Sequence, residues 1–384
     1  RAFHLSEQDH ILQFYSLAFD GSLEQFLPGL FCGATIVMRG PASWSVAELN
    51  QAVREQKLTV VNLTPALWRQ WSQELLAEPE AVHGDQLRLV IVGAEAMTLE
   101  AWRCWQKTPL ATRHLINAYG PTETVITALT FDIPEHFYPE DSSYTVPIGR
   151  PLPYRDVYLL NPQGKLVQPG VAGELYIGSP LLARGYLNRP DLTAERFVPN
   201  PFSAEAGTRL YKTGDLARYL PDGTVEYLGR VDQQVKVRGF RIELGEIEAV
   251  LQQHPAVQTA LVIANEDHPG EKRLVAYIVL HPKHTVTVTE LRGFLADRLP
   301  AYMLPSAYLN LETLPLTANG KIDRRALPSP EAFRPTMKGI FVAPRNPDEE
   351  TLANIWREVL ALEQVGIHDN FFELGGHSLI AIQV

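Results

Sequence analysis

The sequence predicts a multidomain chain of mixed α/β and α+β class, and three features of its texture carry that reading. Two continuous apolar runs, 58–63 (LTVVNL) and 87–92 (LRLVIV), are bounded by polar or glycine residues, as buried parallel strands are. Between 145 and 230 the pattern turns to short strand segments separated by turn dipeptides, which describes a small, mostly β subdomain. From about Gln233 helical and strand segments alternate in a stretch of roughly 95 residues, a size usual for one compact α+β domain.

In chain order, 98–105 reads as a helix following the second apolar strand, and 115–119 as a strand entering a Tyr-Gly-Pro turn. In the β-rich part, 156–160, 173–177 and 225–228 are strands set apart by Asn-Pro, Gln-Gly, Pro-Gly and Asp-Gly turns. Farther on, 244–252 is a helix, 259–264 and 274–280 are strands, and 289–299 is a helix opened by Thr289 and Glu290. Four prolines in 327–345 give a linker with some stiffness. A new helix starts at Asn346 with Pro347 in its first turn. Its apolar stripe is Leu352, Ile355, Trp356, Val359 and Leu360, spaced i, i+3, i+4, i+7 and i+8.

Bulk composition narrows the function classes. At 384 residues the chain has room for two to three domains. A net charge of −10 and no Lys/Arg run argue against a nucleic-acid partner. No stretch is long and apolar enough to cross a bilayer, and the first ten residues do not read as a signal peptide. Cys32 and Cys104 have no metal-site spacing and build no disulfide framework, so a reducing, cytoplasmic setting is expected.

Five segments carry the chemistry: 117–123 (NAYGPTE), 211–216 (YKTGDL), 229–248 (GRVDQQVKVRGFRIELGEIE), 319–324 (NGKIDR) and 369–379 (DNFFELGGHSL). In the first, glycine lets backbone approach a ligand, an aromatic offers a flat face to a purine, Thr122 offers a hydroxyl to phosphate, and Glu123 a hard oxygen to Mg²⁺. Asp215 stands on a glycine turn, where one carboxylate can accept from two hydroxyls; alone it would be an ordinary turn-capping Asp. Lys321, on an Asn-Gly turn, is an ammonium on a flexible stem suited to neutralising developing negative charge. Ser378 follows two glycines and a histidine; by position alone it would be a helix N-cap.

Taken together and in this order, the five segments resemble a nonribosomal peptide synthetase: the later part of an adenylation domain, then the start of a peptidyl carrier domain. The resemblance covers nearly the whole chain. It implies the adenylate-forming fold shared with acyl-CoA ligases and luciferase, with a small β subdomain, a mobile α+β C-terminal subdomain and a partial helical carrier domain. The corresponding segments are a partial adenylation core at 1–231 (β-rich at 145–230), a small subdomain at 232–328, a linker at 329–345 and a partial carrier at 346–384.

The resemblance also implies roles. Tyr119 would stack on adenine, Asn117 bind its amino group, and Gly93 line the nucleotide site. Asp215, Tyr227 and Arg230 would hold the ribose, Thr122 the phosphates and Glu123 the Mg²⁺ of ATP. Lys321 would bridge substrate carboxylate and ATP, Asp232 would be the hinge, and Ser378 would carry 4′-phosphopantetheine. Asp20, in Phe19-Asp20-Gly21-Ser22, would bind the α-ammonium of an amino acid substrate. Gly21, Glu24, Asn62, Val90, Val92, Ala118, Gly120, Ile126 and Thr127 would surround its side chain. A buried Glu24 needs a partner, which suggests an ornithine-, lysine- or arginine-like substrate; if Glu24 bonds the protein instead, the substrate is neutral. Implied partners are neighbouring synthetase domains, such as condensation domains, and a phosphopantetheinyl transferase.

Against the family pattern, the Gly/Ser/Thr-rich phosphate loop and a large region upstream of Phe19 are not in this sequence, and six residues follow Ser378. A fragment of a longer synthetase is the expectation. Ser179-Pro180 stands where many relatives have another glycine. Two rival readings are an acyl- or aryl-acid CoA ligase, which Asp20 and the carrier segment oppose, and a non-catalytic docking scaffold, which the joint presence of Lys321, Asp215 and Ser378 opposes.

Overall fold

The computed structural model describes residues 2–40, 44–81, 86–134, 137, 145–231, 235–237, 240–268, 271–315, 323, 326–329, 342–360, 364–367, 369 and 371. The chain divides into two units, Arg1–Gly239 and Phe240–Val384.

The first unit begins with a seven-stranded sheet. Its elements in order are β1 (His10–Gln13), α1 (Gly21–Cys32), β2 (Thr35–Met38), α2 (Val46–Glu55), β3 (Val60–Leu63), α3 (Pro65–Ala77), β4 (Leu89–Gly93), α4 (Leu99–Trp105), β5 (His114–Tyr119), β6 (Leu129–Asp132) and β7 (Arg150–Pro151). The strand order is β2-β1-β3-β4-β5-β6-β7. The first five strands run parallel, whereas β6 is antiparallel to β5 and β7 to β6. The two apolar runs became β3 and β4, central and buried on both faces. The predicted helix at 98–105 is α4, with the Thr98 hydroxyl accepting from the Ala101 amide at 3.2 Å.

Strand alternation sorts the side chains onto two faces. One face of β3–β5 (Val61, Leu63, Val90, Val92, Leu115) packs on Trp68, Trp71, Trp102 and Trp105 of α3 and α4. Each large side chain removed from water there contributes roughly 1.5–3 kcal/mol. Trp71 Nε1 donates to Asn50 Oδ1 at 2.7 Å, which satisfies its one polar atom. The other face (Val60, Leu89, Ile91, Ile116, Ala118) packs with Ile11 and Ala34.

A five-stranded antiparallel sheet follows: β8 (Asp156–Leu160), β9 (Gly173–Gly178), α5 (Pro190–Arg196), β10 (Phe197–Pro199), β11 (Arg209–Tyr219) and β12 (Val225–Arg230). The predicted β-rich segment is thus present, with the 225–228 strand extended to Arg230. A short strand, β13 (Val235–Val237), ends the described part of this unit.

In the second unit β14 (Phe240–Ile242) precedes α6 (Leu244–Leu251). The hairpin β15 (Val257–His268)–β16 (Glu271–Leu280) is joined in parallel by β17 (Ala307–Asn310). Both hairpin strands outrun the 259–264 and 274–280 readings, because cross-strand pairing continues into their polar ends. Helix α7 (Val288–Ala296) is opened by Thr287, not Thr289: Thr287 and Glu290 form a reciprocal capping box. Helix α8 (Pro347–Leu360) starts at the predicted proline. Its stripe is shifted at the start, since Leu352 is 45% exposed and Ala353 is buried, while Trp356 meets Phe371 edge-on at 5.0 Å.

Candidate functional site

Asp215 sits in β11 directly opposite Arg230 of β12. Arg230 Nη1 donates to Asp215 Oδ1 at 2.6 Å, and both side chains are less than a tenth exposed. The other carboxylate oxygen, Oδ2, accepts from the phenol of Tyr119, which arrives from the end of β5. The Asp215 amide donates to Thr213 Oγ1 at 3.0 Å, and that hydroxyl donates to the Leu175 carbonyl at 2.7 Å, which holds the strand in place. Burial, with the Asp215 charge second, pushes the Tyr119 phenol well above its ordinary pKa and keeps it a donor. Tyr227 faces Tyr119 with ring centroids 6.4 Å apart. Four residues separated by up to 111 positions therefore share one polar cluster, and the sequence reading named all four without their mutual bonds. Asn117 is buried beside them; its amide donates to the carbonyls of Val146 (3.2 Å) and Pro147 (2.8 Å), bracing the segment that enters β7.

The turn after β5 is tight. A Cβ on Gly120 would lie 1.8 Å from the Ile126 carbonyl oxygen and 2.7 Å from the Ala128 nitrogen, so only glycine fits. The 3₁₀ turn Thr122–Thr124 buries Glu123 and exposes Thr122. Glu123 Oε1 accepts from the Tyr186 hydroxyl at 2.6 Å, and that hydroxyl lies 3.3 Å from the one on Tyr211. Burial and the bond to Glu123 hold the Tyr186 phenol far above its usual pKa. Tyr186 lies in 173–187 (GELYIGSPLLARGYL), the segment that also holds Ser179-Pro180, and nothing in its spacing marks it as the partner of Glu123. Val125 (φ 65) and Ile126 (φ 61) then take left-handed backbone, which is unusual for β-branched residues and costs about 1–3 kcal/mol each.

That strained turn delivers Thr127 to Glu24. Thr127 Oγ1 donates to Glu24 Oε2 at 2.9 Å, and the Asn62 side chain also bonds the carboxylate. Removal from water pushes Glu24 up to about 7; Thr127, Arg155 and Asn62 oppose the rise, and the nearby Asp20 charge adds to it. The Tyr15 hydroxyl donates to Asn62 Oδ1 at 3.3 Å. Gln25 pins the floor by accepting from the Phe14 and Tyr15 amides and donating to the Asn62 carbonyl. Asp20 occupies the N-cap position of α1 without making a side-chain capping bond, and Gly21 lies against Phe19 and Tyr15.

Not every pocket candidate converges. Asn62, Ile91 and Ile116 share one row of the sheet, and Gly93 pairs with Ala118 in the next row on the same face. Val90 and Val92 belong to the opposite face, fully buried among the tryptophans. The expectation that they line the same cavity as Glu24 and Asn62 is corrected here, and the physical reason is the two-residue period of a strand: Ile91 takes that face instead. Lys321, Asp232 and Ser378 lie outside the described residues.

Among the described residues no cluster of three or more His, Cys, Asp or Glu side chains offers a self-contained metal site. Mg²⁺ takes one or two protein carboxylates and completes its octahedron with water and phosphate oxygens, and Glu123 is a hard oxygen donor that could serve it. No described helix is long and apolar enough to cross a membrane.

The fold and these clusters define an adenylate-forming enzyme. The AMP-binding enzyme family matches residues 1–187, the AMP-binding enzyme C-terminal domain 246–321, and the phosphopantetheine attachment site 350–384. Tyrocidine synthase 3 of Brevibacillus parabrevis is 44% identical over 100% of this chain, and a dimodular nonribosomal peptide synthase of Bacillus subtilis is likewise 44% identical over 100% of this chain. The holo form of PA1221, an NRPS protein containing adenylation and PCP domains bound to a vinylsulfonamide inhibitor, superposes on 98% of this chain with a TM-score of 0.79 and 28% identity. The chain belongs to the nonribosomal peptide synthetases, as adenylation domain sequence continued by carrier domain sequence. It spans 6% of the tyrocidine synthase, 16% of the dimodular synthase and 60% of PA1221.

Proposed function

We infer that the chain activates an α-amino acid with ATP and passes it to a pantetheine thiol on Ser378. The observation that supports this most is the buried Tyr119–Asp215–Arg230 cluster. Each oxygen of the Asp215 carboxylate takes one internal bond and keeps acceptor capacity for a second, so the pair can receive the 2′- and 3′-hydroxyls of a ribose. Arg230 holds the carboxylate in place.

In the first step an oxygen of the substrate carboxylate attacks the α-phosphorus of ATP. The bond to the bridging oxygen breaks, and pyrophosphate leaves with its electron pair. Tyr119 and Asn117 border the adenine, Thr122 faces the phosphates, and Lys321 neutralises charge shared between carboxylate and phosphate. Mg²⁺, when bound at Glu123, screens the phosphates. For the second step Ser378 would hold 4′-phosphopantetheine, whose thiol would supply the acceptor for the acyl group as a thioester, with AMP as the leaving group and the thiol proton released to solvent. Swinging of the small subdomain about Asp232 would separate the two steps.

For the substrate we favour a cationic side chain. Glu24 is the supporting observation: it does bond the protein, but the hydrogen bonds come from Thr127 and Asn62, neutral groups that leave its charge to be matched by the substrate, and Asp20 receives the α-ammonium. Because burial raises Glu24 to about 7, it is mostly protonated at pH 6 and mostly ionised at pH 8. The KM for a cationic amino acid should therefore fall several-fold across that interval, and Glu24→Gln should flatten the dependence. An unchanged profile in Glu24→Gln would discard the cationic reading.

The primary test is amino-acid-dependent ATP–pyrophosphate exchange by the full synthetase module containing this chain, over the common amino acids plus ornithine. Exchange with one amino acid, lost in Lys321→Ala, is the expected result; no exchange with any of them would reject adenylation. Tyr186→Phe removes the hydroxyl that orients Glu123, and the Mg²⁺ concentration giving half-maximal exchange should rise about 3- to 10-fold, in line with loss of one hydrogen bond to a charged group. Neighbouring condensation domains and a phosphopantetheinyl transferase are the partners this function requires.

A further inference from the structure

We propose that Arg155 is a positioning and specificity-determining residue: it clamps the strained turn that presents Ile126 and Thr127, and it opposes a second positive charge beside Glu24. The inference rests on the adenylation reading above.

Three observations carry it. Arg155 follows β7 in a loop tied to the sheet, where the Leu152 amide donates to the Ala128 carbonyl at 2.9 Å and the Arg155 amide to the Leu152 carbonyl at 3.2 Å. From there its guanidinium reaches back across the turn. Nη2 lies 3.3 Å from the Val125 carbonyl oxygen and 3.5 Å from that of Thr124. These carbonyls flank the start of the left-handed pair Val125–Ile126. A backbone in that conformation persists only where its surroundings hold it, and a planar five-donor cation across two successive carbonyls is suited to do so.

The second observation is the geometry of what the turn delivers. Two residues after Val125, Thr127 Oγ1 bonds Glu24 Oε2 at 2.9 Å. A shift of the 124–126 backbone therefore moves the hydroxyl that orients the pocket carboxylate. The third is charge. Arg155 and Glu24 act on one another electrostatically, each favouring the ionised form of its partner. Among the described residues, Arg155 Nε is buried with no hydrogen-bond partner. The guanidinium is thus incompletely satisfied by the protein, and its charge is felt at the pocket floor. A cationic substrate side chain meets Glu24 as its partner and Arg155 as its opponent; a neutral one meets neither charge as strongly.

The test uses Arg155→Met, which keeps the stem and removes the charge and fork, and Arg155→Lys, which keeps the charge only. Both are made in the full module. In Arg155→Met the KM for the preferred amino acid should rise about 10-fold while the KM for ATP stays within twofold. Because Arg155 also favours ionised Glu24, the comparison is made at pH 9, well above the Glu24 transition, where the ratio of kcat/KM for cationic over neutral amino acids should rise about 10-fold because the opposing charge is gone. Arg155→Lys should keep the wild-type ratio and show the raised amino-acid KM. Equal losses toward ATP and amino acid, or an unchanged ratio in Arg155→Met, would overturn the proposal, the first by reducing Arg155 to a merely structural part. Amide hydrogen exchange supplies a readout that needs no substrate: the segment 122–128 should exchange at least tenfold faster in Arg155→Met, and unchanged protection would overturn the clamp. A wild-type module that exchanges pyrophosphate with no amino acid would sink the adenylation reading, and the hydrogen-exchange comparison would still decide the clamp.

Discussion

Replacing Asp215 by Asn is expected to destabilise the first unit by about 3–5 kcal/mol and to raise the KM for ATP by about 10- to 100-fold. The reason is that Asp215 serves two buried donors at once. Arg230, nine-tenths or more buried, has its charge balanced by this carboxylate at 2.6 Å, and Tyr119 directs its phenol at the second oxygen. An Asn offers one acceptor oxygen and turns an NH₂ group toward one of those donors. The guanidinium then loses the counter-charge that stood 2.6 Å away in a poorly solvated place, which is the costly half of breaking a buried pair. Urea unfolding of the variant measures the stability term, and ATP dependence of pyrophosphate exchange the binding term. The double variant Asp215→Asn/Arg230→Gln separates them: removing the buried cation as well should recover a good part of the stability and none of the ATP affinity. An Asp215→Asn protein with wild-type unfolding and wild-type KM for ATP would contradict the account.

Gly120→Ala should be as severe, by a different route. The added methyl would fall 1.8 Å from the Ile126 carbonyl oxygen and within 3 Å of the Ala128 nitrogen, and both are backbone atoms that no rotamer change can move. The Ala128 amide bonds the Tyr119 carbonyl at 2.8 Å, so the clash is driven directly into the bond that closes the turn. Overpacking of this kind costs roughly 1–3 kcal/mol and sometimes more. The functional loss should exceed the stability loss, because Glu123 lies inside the displaced turn and Thr127 at its exit. A displacement near 1 Å of groups that position reactants lowers turnover by about 100-fold. Single-turnover adenylate formation, with circular dichroism as the folding control, checks this. A Gly120→Ala variant within threefold of wild type would show that the 120–128 turn is not the positioning element described here.

Much of this protein was legible before any coordinates. The apolar runs at 58–63 and 87–92 are long enough, and bounded sharply enough, to specify central parallel strands, and burial on both faces explains why they do not alternate. The β-rich segment was announced by its turn dipeptides, and α8 by its proline. Tyr119, Asp215 and Arg230 stand in motif segments that the sequence singles out, and the structure brings these three into one buried cluster. Three features were not legible. The left-handed pair at Val125 and Ile126 runs against what β-branched residues prefer, so propensity points away from it. The start of α7 moved to Thr287 because the capping box closes there, and two threonines close together at that end made the choice a matter of geometry.

The third is the face on which pocket residues fall. Sequence register placed Val90 and Val92 together with Asn62 and Ala118, whereas the sheet sends them to opposite sides. Motif order by itself pointed to the class of chemistry, an ATP-using adenylating enzyme with a phosphopantetheine attachment site, since this depends on which functional groups are present and in what sequence. Tertiary structure alone decided which groups meet: that Tyr119 and Arg230 share Asp215, that Tyr186 orients Glu123, and that Thr127 and Arg155 attend Glu24. Those pairings span 15 to 131 residues, and their energies come from burial and hydrogen-bond direction, quantities that exist only once the strands are in register.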